Sequence, residues 1–177
     1  FMPHVQLFDS ALFNVSHNEA AWMDPQQRLV LEYGYDVLHT GGHERQSLLG
    51  ANIALVLGIQ AMDFTFIVTE TPVLQLPVYA ATGQFFSPAA GRLSFVLGLQ
   101  GACFPTDTAC STALVATHLA AGMLRDAQCD GAISVGVNIM LYPMVHVLTA
   151  NSGMTSRDGR CKFLDNRANG YVRSEGV

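Results

Sequence analysis

Two short stretches do most to limit what this chain can fold into. Residues 53–58, Ile53-Ala54-Leu55-Val56-Leu57-Gly58, carry no polar side chain, and residues 132–137, Ala132-Ile133-Ser134-Val135-Gly136-Val137, carry a single hydroxyl. Such short, continuously apolar runs suit strands buried on both faces, as in parallel sheets covered by helices. Helical patterns surround them. Asp24-Pro25 predicts a helix start, because aspartate accepts the unpaired first amides and proline suits the first helical position. Leu29, Val30, Tyr33, Val37 and Leu38 then recur at helical spacing, and Gly41-Gly42 closes the segment. Ser87-Pro88 repeats the start, with Ala90, Leu93, Val96 and Leu97 continuing a second helix. Residues 101–108 read as extended. Residues 111–125 read as an Ala-rich helix, apolar nearly all round and therefore expected to be buried. Strands alternating with helices predict an α/β layered fold.

Composition narrows the function classes. Half of the 177 residues are apolar and only 13% are charged, so either the surface is covered by something else or the chain is largely interior. A net charge of −5 argues against non-specific nucleic-acid binding, which needs basic surface to displace counterions. Residues 131–156 lack Lys, Arg, Asp and Glu, but Asn138, Pro143, His146 and Asn151 interrupt them, so no membrane span is expected. The basic residues Arg157, Arg160, Lys162, Arg167 and Arg173 gather around the Asp158-Gly159 turn and read as a solvated loop. The cysteines Cys103, Cys110, Cys129 and Cys161 form no CxxC pair, so no metal site is expected. No secretory-type start is visible, and a reducing, cytoplasmic or organellar, compartment with free thiols is the expectation.

Cys110 stands where an extended segment meets a helix. Unpaired amides and the positive end of the helix dipole favour the thiolate there. Thr108, Ala109, Ser111, Thr112 and Ala113 around it are small, which permits a sharp turn and a bulky substrate. Two readings stand on this basis: a nucleophile, or a buried small hydrophobe. Cys103 and Cys129 read as packing residues and Cys161 as a loop residue. No histidine is a readable partner. His118 lies eight positions further along the same helix, about 12 Å at the usual rise, and His146 follows the second apolar run. Phosphate loops of the GxxxxGK[ST] type, HExxH and strand-to-GxGxxG units are absent from the sequence.

Asp107-Thr108-Ala109-Cys110-Ser111-Thr112-Ala113-Leu114 resembles the active-site signature of the β-ketoacyl synthases, DTACSSSL. Other segments resemble that family in the same order. Phe8-Asp9-Ser10-Ala11-Leu12-Phe13 is similar to FDAxFF, and Met23-Asp24-Pro25-Gln26-Gln27-Arg28-Leu29 to MDPQQRL. Thr82-Gly83, Ser87 and Ala90-Gly91-Arg92-Leu93-Ser94 are similar to TGxxxSxxAGRIS. Cys129-Asp130-Gly131-Ala132 through Gly136-Val137-Asn138 is similar to ECDxALAGGVN. Asp158-Gly159-Arg160-Cys161-Lys162 and Gly170-Tyr171-Val172-Arg173 are similar to DGRCK and GYVRGEG. The set favours the modular polyketide-synthase type over the bacterial fatty-acid type. Thr112 and Ala113 replace two serines, Ala102-Cys103 a Pro-Ser, Ser174 a glycine and Leu164 a phenylalanine.

The resemblance implies a thiolase-like layered α/β fold of two similar halves, usually dimeric. Residues 1–177 would be a partial ketosynthase domain, the N-terminal half without its first strand. The second half, with two catalytic histidines and a lysine, would follow. Cys110 would be the catalytic nucleophile, Thr108 would lie near the dimer partner, and Phe85 and Phe86 would limit the acyl pocket unless they are ordinary core. No metal or directly bound cofactor is implied. The partners implied are an acyl carrier protein with its phosphopantetheine arm, acyl thioesters and a malonyl-type extender, in decarboxylative Claisen condensation. A thiolase-type acyltransferase, or a non-catalytic scaffold or initiation partner of a synthase, are the competing readings. Without a central strand and the histidines, the 177 residues alone are expected to be unstable and unable to complete condensation.

Overall fold

A computed structural model describes residues 2–60 and 63–177. The elements run α1 (His17–Ala21), α2 (Pro25–Thr40), α3 (Arg45–Leu48), β1 (Ile53–Ile59), α4 (Asp63–Glu70), α5 (Ala80–Gly83), α6 (Phe86–Leu97), β2 (Cys103–Thr106), α7 (Thr112–Arg125), β3 (Gly131–Val137) and α8 (Pro143–Asn151). The three strands form one parallel sheet in the order β2-β1-β3.

The alternation of side chains across a strand divides the sheet into two different faces. Ile53, Leu55, Leu57 and Ile59 of β1, with Ile133, Val135 and Val137 of β3, enter the main core. The helices α2 and α6 cover that face and contribute Leu29, Val30, Leu38, Ala90, Leu93 and Leu97 to it. The other face presents smaller groups, Ala54, Val56 and Gly58 beside Ala132, Ser134 and Gly136. Here α7 packs, through Ala116 and Ala120 against Val56. The result is a helix–sheet–helix sandwich in which β1 is buried at every position.

Several expectations hold at the level of side chains. Asp24 caps α2, accepting from the Gln26 amide, with Pro25 at the first position, and the helix ends at Gly41. Others need correction. Tyr33 and Val37 are exposed, because the buried stripe of α2 runs through Leu29, Val30, Leu31, Gly34 and Leu38 instead. Gly34 is there for space: a Cβ would sit 2.3 Å from Leu93 Cδ2. Ser87 is not a cap. Helix α6 opens at Phe86, two residues before Pro88, with Phe85 as its flanking residue, and no side chain caps it. Helix α7 is not buried all round. Thr112, Ala116 and Ala120 form its buried stripe, while Leu114, Leu119 and Leu124 face outward. Strand β3 is likewise only half covered, with Ser134 exposed.

Most of the basic tail lies at the surface as short turns, but Arg173 is half-buried with its Nη1 out of solvent rather than solvated as expected. Lys162 pairs with Asp158 and Arg167 with Asp165, which holds both carboxyl groups below the usual carboxylate range through hydrogen bonding. No helix among the described residues is long and apolar enough to cross a membrane.

Candidate active site

The site grows from the carboxyl ends of the parallel strands, where an α/β sheet leaves room for ligands. After β2 the chain passes through Asp107 and Thr108, makes a tight turn at 109–111 and enters α7 at Thr112. Ala109 stands at φ 55°, a left-handed conformation that costs energy for any residue with a Cβ. Asp107 offsets that cost by accepting the Ala109 amide at 2.8 Å. The hydroxyl of Thr112 closes the turn: it accepts the Thr108 amide at 2.9 Å and donates to the Ala109 carbonyl at 2.6 Å. Ser111 Oγ reaches back to both the carbonyl and the hydroxyl of Thr108, each at 2.9 Å. Cys110 sits at the apex of this elbow and is exposed. A strained, cross-braced turn at a strand–helix junction presents a side chain outward from rigid backbone, as a nucleophile requires. Exposure also removes the reading of Cys110 as a buried small hydrophobe.

The remaining cysteines differ. Cys129 is buried, Cys103 is half-buried against the core, and Cys161 accepts the Val172 amide at 3.0 Å in the tail. His118 lies on α7; His146, on α8, lines an open cleft of about 740 Å³ with Asn151, Arg157 and Asn169. Phe85 is exposed, and Phe86 is partly buried against the main core, on the sheet face opposite α7.

The loop after β3, at the same end of the sheet, is held by side chains that sequence reading did not single out. Five successive amides have acceptors. Asn138 donates to the Gly176 carbonyl at 2.9 Å, Ile139 to Gln26 Oε1 at 3.3 Å and Met140 to Glu175 Oε1 at 3.0 Å. Leu141 and Tyr142 both donate to Asp63 Oδ2, at 3.0 and 3.1 Å. Asp24 supports this clasp by accepting Gln26 Nε2 at 3.0 Å, which fixes the orientation of the Gln26 amide. Burial pushes the Asp24 carboxyl up to about 6, against the lowering effects of the Gln26 hydrogen bonds and of Arg28. No sequence periodicity marks Gln26, Asp63 or Glu175 for this task, because their partners lie 113, 78 and 35 residues away.

The sequence pattern of the β-ketoacyl synthase N-terminal domain matches residues 1–177. The chain belongs to the β-ketoacyl synthase family. The ketosynthase from module 6 of the bacillaene synthase of Bacillus subtilis 168 superposes with a TM-score of 0.89 at 34% identity, covering 99% of this chain and 29% of that one. A phenolphthiocerol/phthiocerol polyketide synthase of Mycobacterium tuberculosis is 39% identical over 177 residues, 100% of this chain and 11% of that protein. The polyketide synthase component of the lovastatin nonaketide synthase of Aspergillus terreus is 40% identical over 170 residues, 96% of this chain and 6% of that protein. The ketosynthase chain described here therefore spans a small part of the curated relatives it matches. Its layered α/β architecture is thiolase-like, and the three-stranded sheet corresponds to part of the ketosynthase domain.

Proposed function

We propose that this β-ketoacyl synthase chain accepts an acyl group on Cys110 and, in the protein to which it belongs, serves decarboxylative Claisen condensation in polyketide assembly. The observation that carries the reading is the exposed Cys110 at the apex of a braced strand–helix elbow. The Cys110 thiolate attacks the carbonyl of an acyl thioester, the carrier thiol leaves, and the acyl chain is held as a new thioester. A malonyl-type extender then loses CO₂, and the carbanion so formed attacks the Cys110 thioester carbonyl and expels the cysteine thiolate. Covalent catalysis of this kind divides one difficult step into two easier ones. The Cys110 amide supplies a donor to the oxyanion that develops in each transfer.

The thioesters are delivered on the phosphopantetheine arm of an acyl carrier protein, and an exposed thiol suits attack on a group carried by a flexible arm. Phe85 and Phe86 are proposed to limit the length of the acyl chain, and Thr108 to stand near the second subunit of a homodimer. The histidines that promote decarboxylation are proposed to come from outside residues 1–177.

The test is labelling of the full-length protein with an acyl thioester analogue, followed by peptide mapping. One acyl group on the Cys110 peptide, absent in Cys110→Ala, is expected. A folded protein that takes no label at Cys110 would favour a non-catalytic scaffold and sink the proposal. Isolated residues 1–177 are expected to release no CO₂ from a malonyl-carrier substrate.

A further inference from the structure

The nucleophile elbow rests on two glycines that face each other across neighbouring strands. Gly58 of β1 pairs in register with Gly136 of β3, on the sheet face that receives α7. Neither has a positive φ, so backbone freedom does not explain them. Space does. A Cβ on Gly58 would lie 3.0 Å from Thr112 Cγ2 and 3.3 Å from the Thr112 carbonyl carbon and oxygen. A Cβ on Gly136 would lie 2.8 Å from the Ala113 Cβ. Contacts that short force a neighbour to move, the Ala113 Cβ most of all, since it is fixed directly to the helix backbone.

The residues that fill this notch are the first two of α7, immediately after Cys110-Ser111. Further along the helix the floor rises. Thr117 meets Ser134 through hydroxyls 3.1 Å apart, and Ala116 and Ala120 pack on Val56. The smallest floor thus lies under the end that carries Cys110. Thr112 is also the residue whose hydroxyl binds the Thr108 amide and the Ala109 carbonyl on the other side of Cys110. Displacing Thr112 or Ala113 therefore moves the elbow as a unit.

We infer that Gly58 and Gly136 are positioning residues for acyl transfer, forming a seat whose depth sets where Cys110 stands. The inference rests on the reading of Cys110 as the acyl acceptor. It predicts reciprocity of volume: a methyl added to the seat is compensated by one removed from the helix.

The experiment compares wild type, Gly136→Ala, Ala113→Gly and the double variant Gly136→Ala/Ala113→Gly in the full-length protein. The reading is acylation of Cys110 by an acyl-N-acetylcysteamine thioester, resolved into a saturating rate and a half-saturating concentration. Gly136→Ala is expected to lower the saturating rate about 10-fold or more, with half-saturation changed less than about 2-fold, since misplacement by a fraction of an ångström penalises chemistry more than binding. The double variant is expected to return to within about 3-fold of wild type, because neighbouring changes that share one contact are not additive. Gly136→Ala acylating at the wild-type rate, or a double variant as slow as the single, overturns the inference. If Gly136→Ala does not fold, the double variant decides, as it must be folded and acylated. If wild type itself takes no acyl group, the functional reading fails separately. The seat is then judged by iodoacetamide labelling of Cys110 relative to Cys161: Gly136→Ala must change the ratio and the double variant restore it, and an unchanged ratio counts against the seat.

Discussion

The hydroxyl of Thr112 holds the amide of Thr108 at 2.9 Å, and Cys110 lies midway between them in the chain. The same oxygen donates to the Ala109 carbonyl, so one buried side chain spans the turn from both sides of its strained residue. Thr112→Val keeps the shape and the methyl group that rests over Gly58 but removes both bonds. The exposed Thr108 amide loses this partner, while the Ala109 carbonyl keeps the Thr112 amide, at a cost of about 0.5–1.5 kcal/mol. The expected result is a fall in Cys110 acylation of about 10-fold or more. Thr112→Ser retains the hydroxyl and is expected to acylate within a few-fold of wild type. Equal rates for the valine and serine variants would show that the brace does not position the nucleophile.

Asp63 is fully buried and its Oδ2 takes two amides at once, those of Leu141 and Tyr142, while its Oδ1 has no partner among the described residues. Asp63→Ala strands both donors and is expected to destabilise the protein by about 1–3 kcal/mol in denaturant titrations. Asp63→Asn can keep a carbonyl oxygen in place of Oδ2 and is expected to cost less. Amide hydrogen exchange gives the local view: Leu141 and Tyr142 should exchange faster in the alanine variant and be nearly unchanged in the asparagine one. Indistinguishable variants would mean that the two bonds contribute little.

These residues show where sequence reading stops. Asp24-Pro25 was legible because a helix start is a local event, written in adjacent residues. The apolar run of β1 was legible because burial on both faces leaves no polar position. The elbow was placed by its small residues and its resemblance to a family signature. Its braces were not, since Asp107 and Thr112 act through a turn whose left-handed residue is an alanine, with no glycine to mark it. Ser87-Pro88 misled because the same two residues fit inside the first turn of α6 as well as before it. Residues 111–125 looked buried throughout because hydrophobicity alone does not tell which apolar face the described residues cover. The clasp on residues 138–142 was invisible because its acceptors come from three distant parts of the chain.

Asp24 gives the loop clasp a pH dependence. Its carboxyl ionises near 6 when folded, raised by burial from an ordinary 3.8. Between those values the folded state binds the proton that the unfolded state has released. The stabilising contribution of Asp24 is therefore complete below about pH 4 and is lost as pH rises through about 6. Asp24→Asn cannot titrate. The stability of this variant minus that of wild type should climb in favour of asparagine between pH 4 and 7, by on the order of 3 kcal/mol for a shift of about two pH units. Asparagine also presents an amide toward Gln26 Nε2, so Gln26 must turn and weaken its hold on Ile139. That penalty does not vary with pH, and the slope carries the test. A difference that stays flat across this range contradicts the assignment.

The sheet edges and the outer apolar surface predict how residues 1–177 behave when expressed alone. Strands β2 and β3 flank β1, and their outer edges pair with no further strand among the described residues. Unpaired edges are templates for strand addition from another chain. Elsewhere on the surface Phe95, Leu114, Phe163 and Leu164 are each more than three-quarters exposed, and Leu74 is fully so. Scattered single residues of this kind are ordinary, but α7 alone exposes Leu114, Leu119 and Leu124, spread around the helix outside its buried stripe. The isolated chain is expected to self-associate, eluting ahead of a 19.1 kDa monomer in size-exclusion chromatography with light scattering and binding a hydrophobic dye. Charged substitutions at Leu114 and Leu124 are expected to reduce the association, because they remove exposed apolar surface without touching the Ala116 and Ala120 contacts with the sheet. A monodisperse monomer with a cooperative thermal transition would show instead that the three-stranded sandwich is self-sufficient.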